Sequence, residues 1–291
     1  MLVEPKGVAV EETPQGRLVV VATPIGNLGD LTPRALEVLA SADVVYCEDT
    51  RRSRTLFSAN GLTPKSPLQS LHEHNENERC AQVVERVRAG QIVALVSDAG
   101  TPGISDPGER VVAAVAEAGL IVTSAPGPSA VVAALSISGL ASERFVMEGF
   151  LARKGTERHR RIESWGHEAR TVVFYESPQR LHATLGELAS LWPLRRVVVA
   201  RELTKLHEEV VRGTLSDVAR RFEERDPLGE IVVMLEGVIE ERVVDDEAIR
   251  RALALAIVEG ASTRDAVDEV AAALGVARRH VYQLALERND E

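Results

Sequence analysis

Aromatic side chains are scarce in this chain: five Phe, three Tyr and two Trp among 291 residues, or 3%. An extended stacking surface for single-stranded nucleic acid is excluded on that count, because such surfaces seat successive bases on aromatic rings. Cysteine is rarer still. Cys47 and Cys80 show no metal or redox spacing, so no disulfide framework is expected and the usage fits a reducing cytoplasm. No apolar run reaches the length of a membrane span; the longest, around 111–122 and 131–140, are short or interrupted by Glu117. The N-terminus lacks a basic segment followed by an apolar one, so no signal peptide is read there. The common nucleotide fingerprints are absent too. No G-x-G-x-x-G follows the first expected strand and no G-x-x-x-x-G-K-[ST] occurs. Ser136-Ile137-Ser138-Gly139 lacks the first glycine of a nucleophile elbow. His72-Glu73-His74-Asn75-Glu76 has neither the spacing nor the supporting ligands of a zinc site, and no metal is expected.

Positive charge is also in deficit, with a formal net charge of −10. At first sight that argues against a nucleic-acid partner. The excess is uneven. Residues 1–16 carry three Glu against one Lys, and 239–291 carry twelve acids against seven bases, which leaves −3 for the middle. Within the middle lie basic clusters at Arg51, Arg52 and Arg54, over 153–161, and at Arg195, Arg196 and Arg201. A length of 291 residues and 45% hydrophobic content suit two α/β domains with a small appendage.

The most informative segment is 92–108. A β-branched run over 92–96 reads as a buried strand that empties into Ser97-Asp98-Ala99-Gly100-Thr101-Pro102-Gly103-Ile104-Ser105-Asp106-Pro107-Gly108. In an open α/β sheet, ligands sit beyond the carboxyl ends of strands, and Gly100 and Gly103 let backbone approach one closely. Asp106 as N-cap, Pro107 at the first position and Glu109 at the third also make a good helix start. That explains the end of the segment but not the eight residues before it.

Strands and helices alternate along 17–127, which predicts βαβ units and a mostly parallel, Rossmann-like sheet. Expected strands fall at 17–22, 43–47, 68–71, 92–96 and 121–124, with helices at 33–41, 53–60, 76–89 and 109–118. Residues 128–240 form a second α/β domain whose sheet is mixed, because 197–202 and 208–213 read as a hairpin. Residues 1–16 read as a flexible extension and 245–291 as all helix. In the latter, a helix capped at Ser262, a turn at Gly275 and a second helix opened by Arg278, Arg279 and His280 give a helix-turn-helix pattern. Simple helical packing accounts for it nearly as well, and its net −5 speaks against tight duplex DNA binding. Thr32-Pro33, Asp106-Pro107, Gly127-Pro128 and Ser177-Pro178 place helix N-termini after strands, where N–H groups favour anions.

Five segments together resemble the tetrapyrrole methylase superfamily. They are Ala22-Thr23-Pro24-Ile25-Gly26-Asn27-Leu28-Gly29-Asp30, Cys47-Glu48-Asp49-Thr50-Arg51, the 97–108 loop, Pro126-Gly127-Pro128-Ser129-Ala130 and Phe174-Tyr175-Glu176-Ser177-Pro178-Gln179-Arg180. The resemblance runs in order over about 17–237. It is strongest to the branch that methylates a cytidine 2′-oxygen, at position 1402, in 16S ribosomal RNA. Ser97-Asp98-Ala99 stands where porphyrin-precursor methylases carry Gly-Asp-Pro, which fits the RNA branch.

The resemblance implies S-adenosylmethionine in a cleft between the two α/β domains, a homodimer, and 16S ribosomal RNA or the assembled small subunit as partner. It nominates Pro24, Asp98, Ala99, Gly100, Thr101, Gly103, Ile104, Ser105, Ser129, Ala130, Tyr175 and Glu230 for the cofactor. Tyr175 is equally readable as a half-buried core aromatic. A proton acceptor is expected among Glu48, Asp49, His72, Glu176 and Glu202, with Glu48, Asp49 and Glu176 foremost; each is also a possible salt-bridge partner of a nearby Arg. Arg51, Arg52, Lys154, Arg158, Arg160, Arg161 and Lys205 are expected to contact phosphates. Two other readings compete: methylation of a small tetrapyrrole precursor, which needs no 245–291 segment, and a DNA-binding regulator that senses a small ligand.

Overall fold

A computed structural model describes residues 15–72, 74–223, 227–238 and 245–287. The expected N-terminal extension falls mostly outside them. Five strands build the first sheet, all but the short β3 rich in Val or Ile: β1 (Arg17–Val21), β2 (Val44–Cys47), β3 (Gln69–Ser70), β4 (Ile92–Val96) and β5 (Ile121–Ala125). Every pairing is parallel, in the order β3-β2-β4-β1-β5. The inner strands are buried on both faces, and this is why their sequences run on as Val, Ile and Leu without alternation.

Helices α1 (Pro33–Ser41) and α2 (Thr50–Ala59) cover one face, packing Leu39 and Phe57 with Val19, Val45 and Val96. On the other, α3 (Glu76–Arg88) and α4 (Glu109–Glu117) pack Val83 and Val111 with Leu18, Val93 and Leu95.

Register fixes where a ligand can sit. Val20 pairs with Leu95 and Ser124, and Cys47 with Val96, so the strand ends lie nearly level. The chain leaves β1 toward α1 on one face and leaves β4 toward α4 on the other. A crevice opens between two adjacent strands whose connections part in this way.

The second sheet contains β6 (Phe145–Phe150), β7 (Thr171–Glu176), β8 (Arg196–Arg201), β9 (Glu209–Thr214) and β10 (Ile231–Leu235). Its order is β6-β7-β10-β8-β9, with β6 parallel to β7 and the other pairs antiparallel. The mixed sheet and the β8–β9 hairpin agree with the sequence reading. Helix α5 (Ala130–Ser138) lies on one face with Val173, Val198 and Met234, while α6 (Thr156–Ser164), α7 (Pro178–Leu191) and α8 (Leu215–Glu223) bury Trp165, Phe174 and Phe222 on the other. Ile25, from the loop after β1, belongs to the α5 cluster, so the two lobes share a core. The chain forms one compact unit over 1–238 and a second over 239–291; the boundary expected at 127/128 lies between two lobes of the first.

In the second unit, α9 (Asp246–Val258), α10 (Thr263–Leu274) and α11 (Arg278–Glu287) bury Ile249, Leu253, Val267, Val270, Val281 and Leu284 together. Ser262 caps α10, and Gly275 closes it with φ 67°.

One expected helix start is displaced and one expected cap is not used. Helix α2 begins at Thr50 rather than 53, because the Asp49 carboxylate accepts the Arg51 N–H at 2.8 Å and caps it. Helix α4 begins at Glu109, and Asp106 is not its cap. Instead the buried Glu76 of α3 accepts the N–H groups of Gly108 at 2.9 Å and Arg110 at 3.0 Å. Glu76→Ala is expected to lower the unfolding free energy by about 1–3 kcal/mol, because one buried and one part-buried donor lose a charged acceptor. A lowered urea midpoint relative to wild type checks it.

Candidate active site

The crevice is closed at its base by backbone. Thr23 N–H donates to the Gly100 carbonyl at 2.8 Å, and Gly100 N–H returns to the Thr23 carbonyl at 3.0 Å. Gly100 holds φ 77°, a left-handed conformation that side-chain-bearing residues rarely adopt, so this pairing requires a glycine. Thr101 Oγ1 then donates to the Pro128 carbonyl at 3.2 Å, fastening the loop after β4 to the segment that opens α5.

A cavity of about 340 Å³ lies against this loop. Its apolar wall is Ile25, Leu203, Ile231 and Val232, and its polar wall includes Thr101, Ser105, Asp106, Ser129 and Glu230. The rings of Phe150 and Tyr175 stand 5.2 Å apart beside it. A volume of this size with few polar groups suits a small-molecule ligand. Ser129 and Ala130 bring the N-terminus of α5 to the wall, where helix dipole and free N–H groups favour an anion.

Across the mouth, Lys205 Nζ pairs with Glu202 Oε1 at 2.8 Å and Glu230 Oε2 at 3.1 Å. This bridge is tightly seated. Glu202 and Thr204 hold positive φ values of 52° and 66°, and a Cβ on Gly229 would stand 2.0 Å from Glu202 Oε1. A Cβ on Gly26 would stand 2.5 Å from Lys205 Cγ, so the loop after β1 meets the loop after β8 at this point.

Of the residues nominated for the cofactor, Ala99, Gly100, Thr101, Ile104, Ser105, Ser129, Ala130, Tyr175 and Glu230 share this cavity. Pro24 and Asp98 line a neighbouring cavity of about 180 Å³ instead, with Arg52 and Leu28. Gly103 faces a separate hollow with Pro102, Glu109 and Val112. The Asp98 carboxylate accepts the Asp49 N–H at 3.0 Å and lies 3.5 Å from Arg52 Nε, which ties the loop after β4 to the start of α2.

The expected proton acceptors fare unevenly. Asp49 is engaged by Arg51, whose guanidinium hydrogen bonds hold its carboxyl down to about 2, so it is a poor base. Glu176 reaches the cavity wall, but its side chain is fully buried and spent on structure: 2.6 Å from Arg180, 2.7 Å from the Thr184 hydroxyl and 2.7 Å from the Ser177 N–H. Glu202 is lowered by its bond to Lys205. Glu48 is pushed up by burial and then by Asp98, though it does not line the main cavity.

Two expected phosphate contacts are corrected. Arg158 is buried, its guanidinium bonded to Glu187 at 2.7 Å and Thr184 at 3.1 Å, and it braces α6 against α7. Lys205 belongs to the bridge described above. Arg161 pairs with Glu148. Arg51, Arg52, Lys154 and Arg160 are exposed.

The sequence reading missed Asp106, Ile25, Phe150 and Leu203 in the cavity wall. Asp106 was masked by Pro107, which made it look like a helix cap. Its carboxyl is pushed up to about 6 by burial first and by Glu48 next, with Asp98 and Glu230 adding to the effect and a Ser97 hydrogen bond opposing it.

Residues 17–219 match the model of the Tetrapyrrole (Corrin/Porphyrin) Methylases, and 243–289 match the RsmI C-terminal HTH domain. The Ribosomal RNA small subunit methyltransferase I of Synechocystis sp. is 44% identical, covering 94% of this chain and 98% of its own length. The protein of that name from Thermotoga maritima is 45% identical over 76% of this chain and 99% of its own. Among solved structures, diphthine synthase aligns with a TM-score of 0.58 at 16% identity, covering 76% of this chain and 89% of its own. Uroporphyrin-III-C-methyltransferase from Thermus thermophilus aligns with 0.53 at 21%, covering 75% and 94%. Both of these likenesses concern the fold.

Asp106 carries a stability consequence. Below about pH 4 it is protonated whether the chain is folded or not, and there is no cost. From there to about pH 6 the folded chain holds the extra proton, so stability falls as pH rises and the cost is complete above about pH 6. Asp106→Asn is expected to raise stability at pH 8 by about 1–2 kcal/mol after solvent screening. Urea unfolding checks it, with the gain shrinking toward zero near pH 4; a gain independent of pH would contradict it.

Proposed function

The chain belongs to the tetrapyrrole (corrin/porphyrin) methylase family, alongside the ribosomal RNA small subunit methyltransferases I, and from that premise we propose that it methylates a cytidine 2′-oxygen of 16S ribosomal RNA with S-adenosylmethionine. One observation carries the reading: a single cavity gathers the loop after β4, the N-terminus of α5 and the Tyr175–Phe150 ring pair.

The walls suit the donor's three chemical parts. An α-carboxylate fits Ser129 and Ala130 at the start of α5. The flat adenine fits among Tyr175, Phe150 and Ile231, and Glu230 supplies negative charge for a cation. When bound, S-adenosylmethionine supplies a methyl group already activated by its sulfonium, so the protein's work is largely positioning and desolvation. Ile25, Leu203 and Val232 exclude water from one side, and the Lys205 bridge closes the other.

Exposed Arg51, Arg52, Lys154 and Arg160 are the phosphate contacts in this reading, and the helical unit from Asp246 to Glu287 adds a second surface for RNA or the small subunit. The assembly is a homodimer, supported by apolar side chains left exposed outside the cavity, among them Val132, Ile137 and Phe145. Its compartment is the cytoplasm, where the RNA is.

Calorimetry with S-adenosylmethionine is expected to show one site per chain, and mass mapping of 16S ribosomal RNA to lose one 2′-O-methylcytidine in cells lacking the protein. RNA unchanged by that loss would refute the assignment. Changing Arg52, Lys154 and Arg160 together to Ala is expected to reduce the slope of log affinity against log salt by about 2–3, roughly one per phosphate contact. Filter binding over a salt series checks it.

A further inference from the structure

A hydroxyl oxygen becomes a competent nucleophile as its proton departs, so the site needs somewhere for that proton to go. Most carboxylates around the cavity are already committed. Asp49 is held by Arg51, Glu176 by Arg180 and Thr184, and Glu202 and Glu230 by Lys205. Asp98 accepts a backbone N–H and faces Arg52.

Asp106 differs from all of these. It lines the cavity, and among the described residues no cation is paired with it. The groups that act on it come from four places: Glu48 after β2, Ser97 and Asp98 after β4, Tyr175 on β7 and Glu230 before β10. Apart from Ser97 and the Tyr175 phenol, all are acidic. Together with burial they favour the protonated carboxyl and leave the deprotonated one ready to accept.

Its placement is also built. Ser105 immediately before it holds φ 61°, a left-handed conformation that costs a serine free energy and persists only where its surroundings impose it. Glu76 restrains the far end of the loop through Gly108 and Arg110. Ser97, at the start of the same loop, lines the neighbouring cavity of about 180 Å³ together with Arg52. The loop that carries Asp106 therefore also borders a second recess, where the exposed Arg52 lies beside Asp98.

We propose that the Asp106 carboxylate is the proton acceptor of methyl transfer, which rests on the methyltransferase reading above. The acceptor O–H bond breaks and its proton passes to Asp106 Oδ. The same oxygen bonds the methyl carbon as the carbon–sulfur bond of the sulfonium donor breaks, and that electron pair stays on sulfur as a neutral thioether. The proton on Asp106 then leaves to solvent. A carboxyl that titrates near the working pH is suited to this step.

Asp106→Asn tests it. S-adenosylmethionine binding by calorimetry is expected to change less than about threefold, while single-turnover methylation of small-subunit ribosomal RNA falls about 100-fold or more. The wild-type rate profile is expected to show an acidic limb near pH 6 that the variant lacks. Carbon-13 NMR of the ligand-free wild type is expected to show an aspartate carboxyl titrating there, absent from Asp106→Asn. Three results would overturn the proposal: a variant with near wild-type turnover, a loss of donor binding that matches the loss of rate, or a wild-type profile without the acidic limb. A wild type that leaves the RNA unmethylated overturns the methyltransferase reading as well, whereas an active wild type beside an active variant overturns the proton-acceptor assignment alone.

Discussion

The mutual backbone hydrogen bonds between Thr23 and Gly100 are the constraint on which the site depends. Register brings the ends of β1 and β4 level, but level ends alone would leave two mobile loops. The reciprocal pair makes one surface of them. From that anchor the chain sends Ile25 into the α5 cluster of the second lobe, and Thr101 to the carbonyl of Pro128. The cavity has its shape because both lobes are fastened to the same two residues. Losing the left-handed conformation at Gly100 would separate the loops and the lobes together.

Charge is distributed around this anchor with a consistent logic. At the rim, acids are matched with bases: Asp49 with Arg51, Asp98 with Arg52, and Glu202 and Glu230 with Lys205. Such pairs in water contribute modestly to stability, but they fix the direction of side chains. Behind the rim the matching stops. Asp106 is drawn toward protonation by burial and by Glu48, and Glu48 by burial and by Asp98. The free energy that a better-paired site would have gained is held as reactivity at a single carboxyl.

Much of the fold was legible from periodicity, because the inner strands are continuous apolar runs and the helices carry clear stripes and caps. Thr32 and Pro33 opened a helix where the sequence placed it, and Gly275 ended one. The start of α2 was misplaced although its cap, Asp49, lies beside it in sequence, and the cap of α4 is a different case. Capping patterns are local in sequence, yet the acceptor that starts α4 is Glu76, some thirty positions earlier and on another helix. No one-dimensional pattern contains it. The loops that surround the cavity were legible as a set, since Gly, Pro and Ser after strands mark them. The partners of individual charges were not. Arg158 looked like one more member of a basic cluster until burial against Glu187 set it apart. Phe150 and Leu203 reached the wall through the pairing of β6 and the turn after β8, which depend on contacts distant along the chain.

The loan of Glu76 to α4 has a consequence for how such a site can diversify. Since another helix supplies the acceptor, residue 106 is relieved of any duty in holding the backbone, and its side chain is free to vary with the molecule being modified. Architecture and chemistry are thereby uncoupled at that position. A scaffold arranged this way can exchange one acceptor for another by a single replacement, without unwinding the helix that follows.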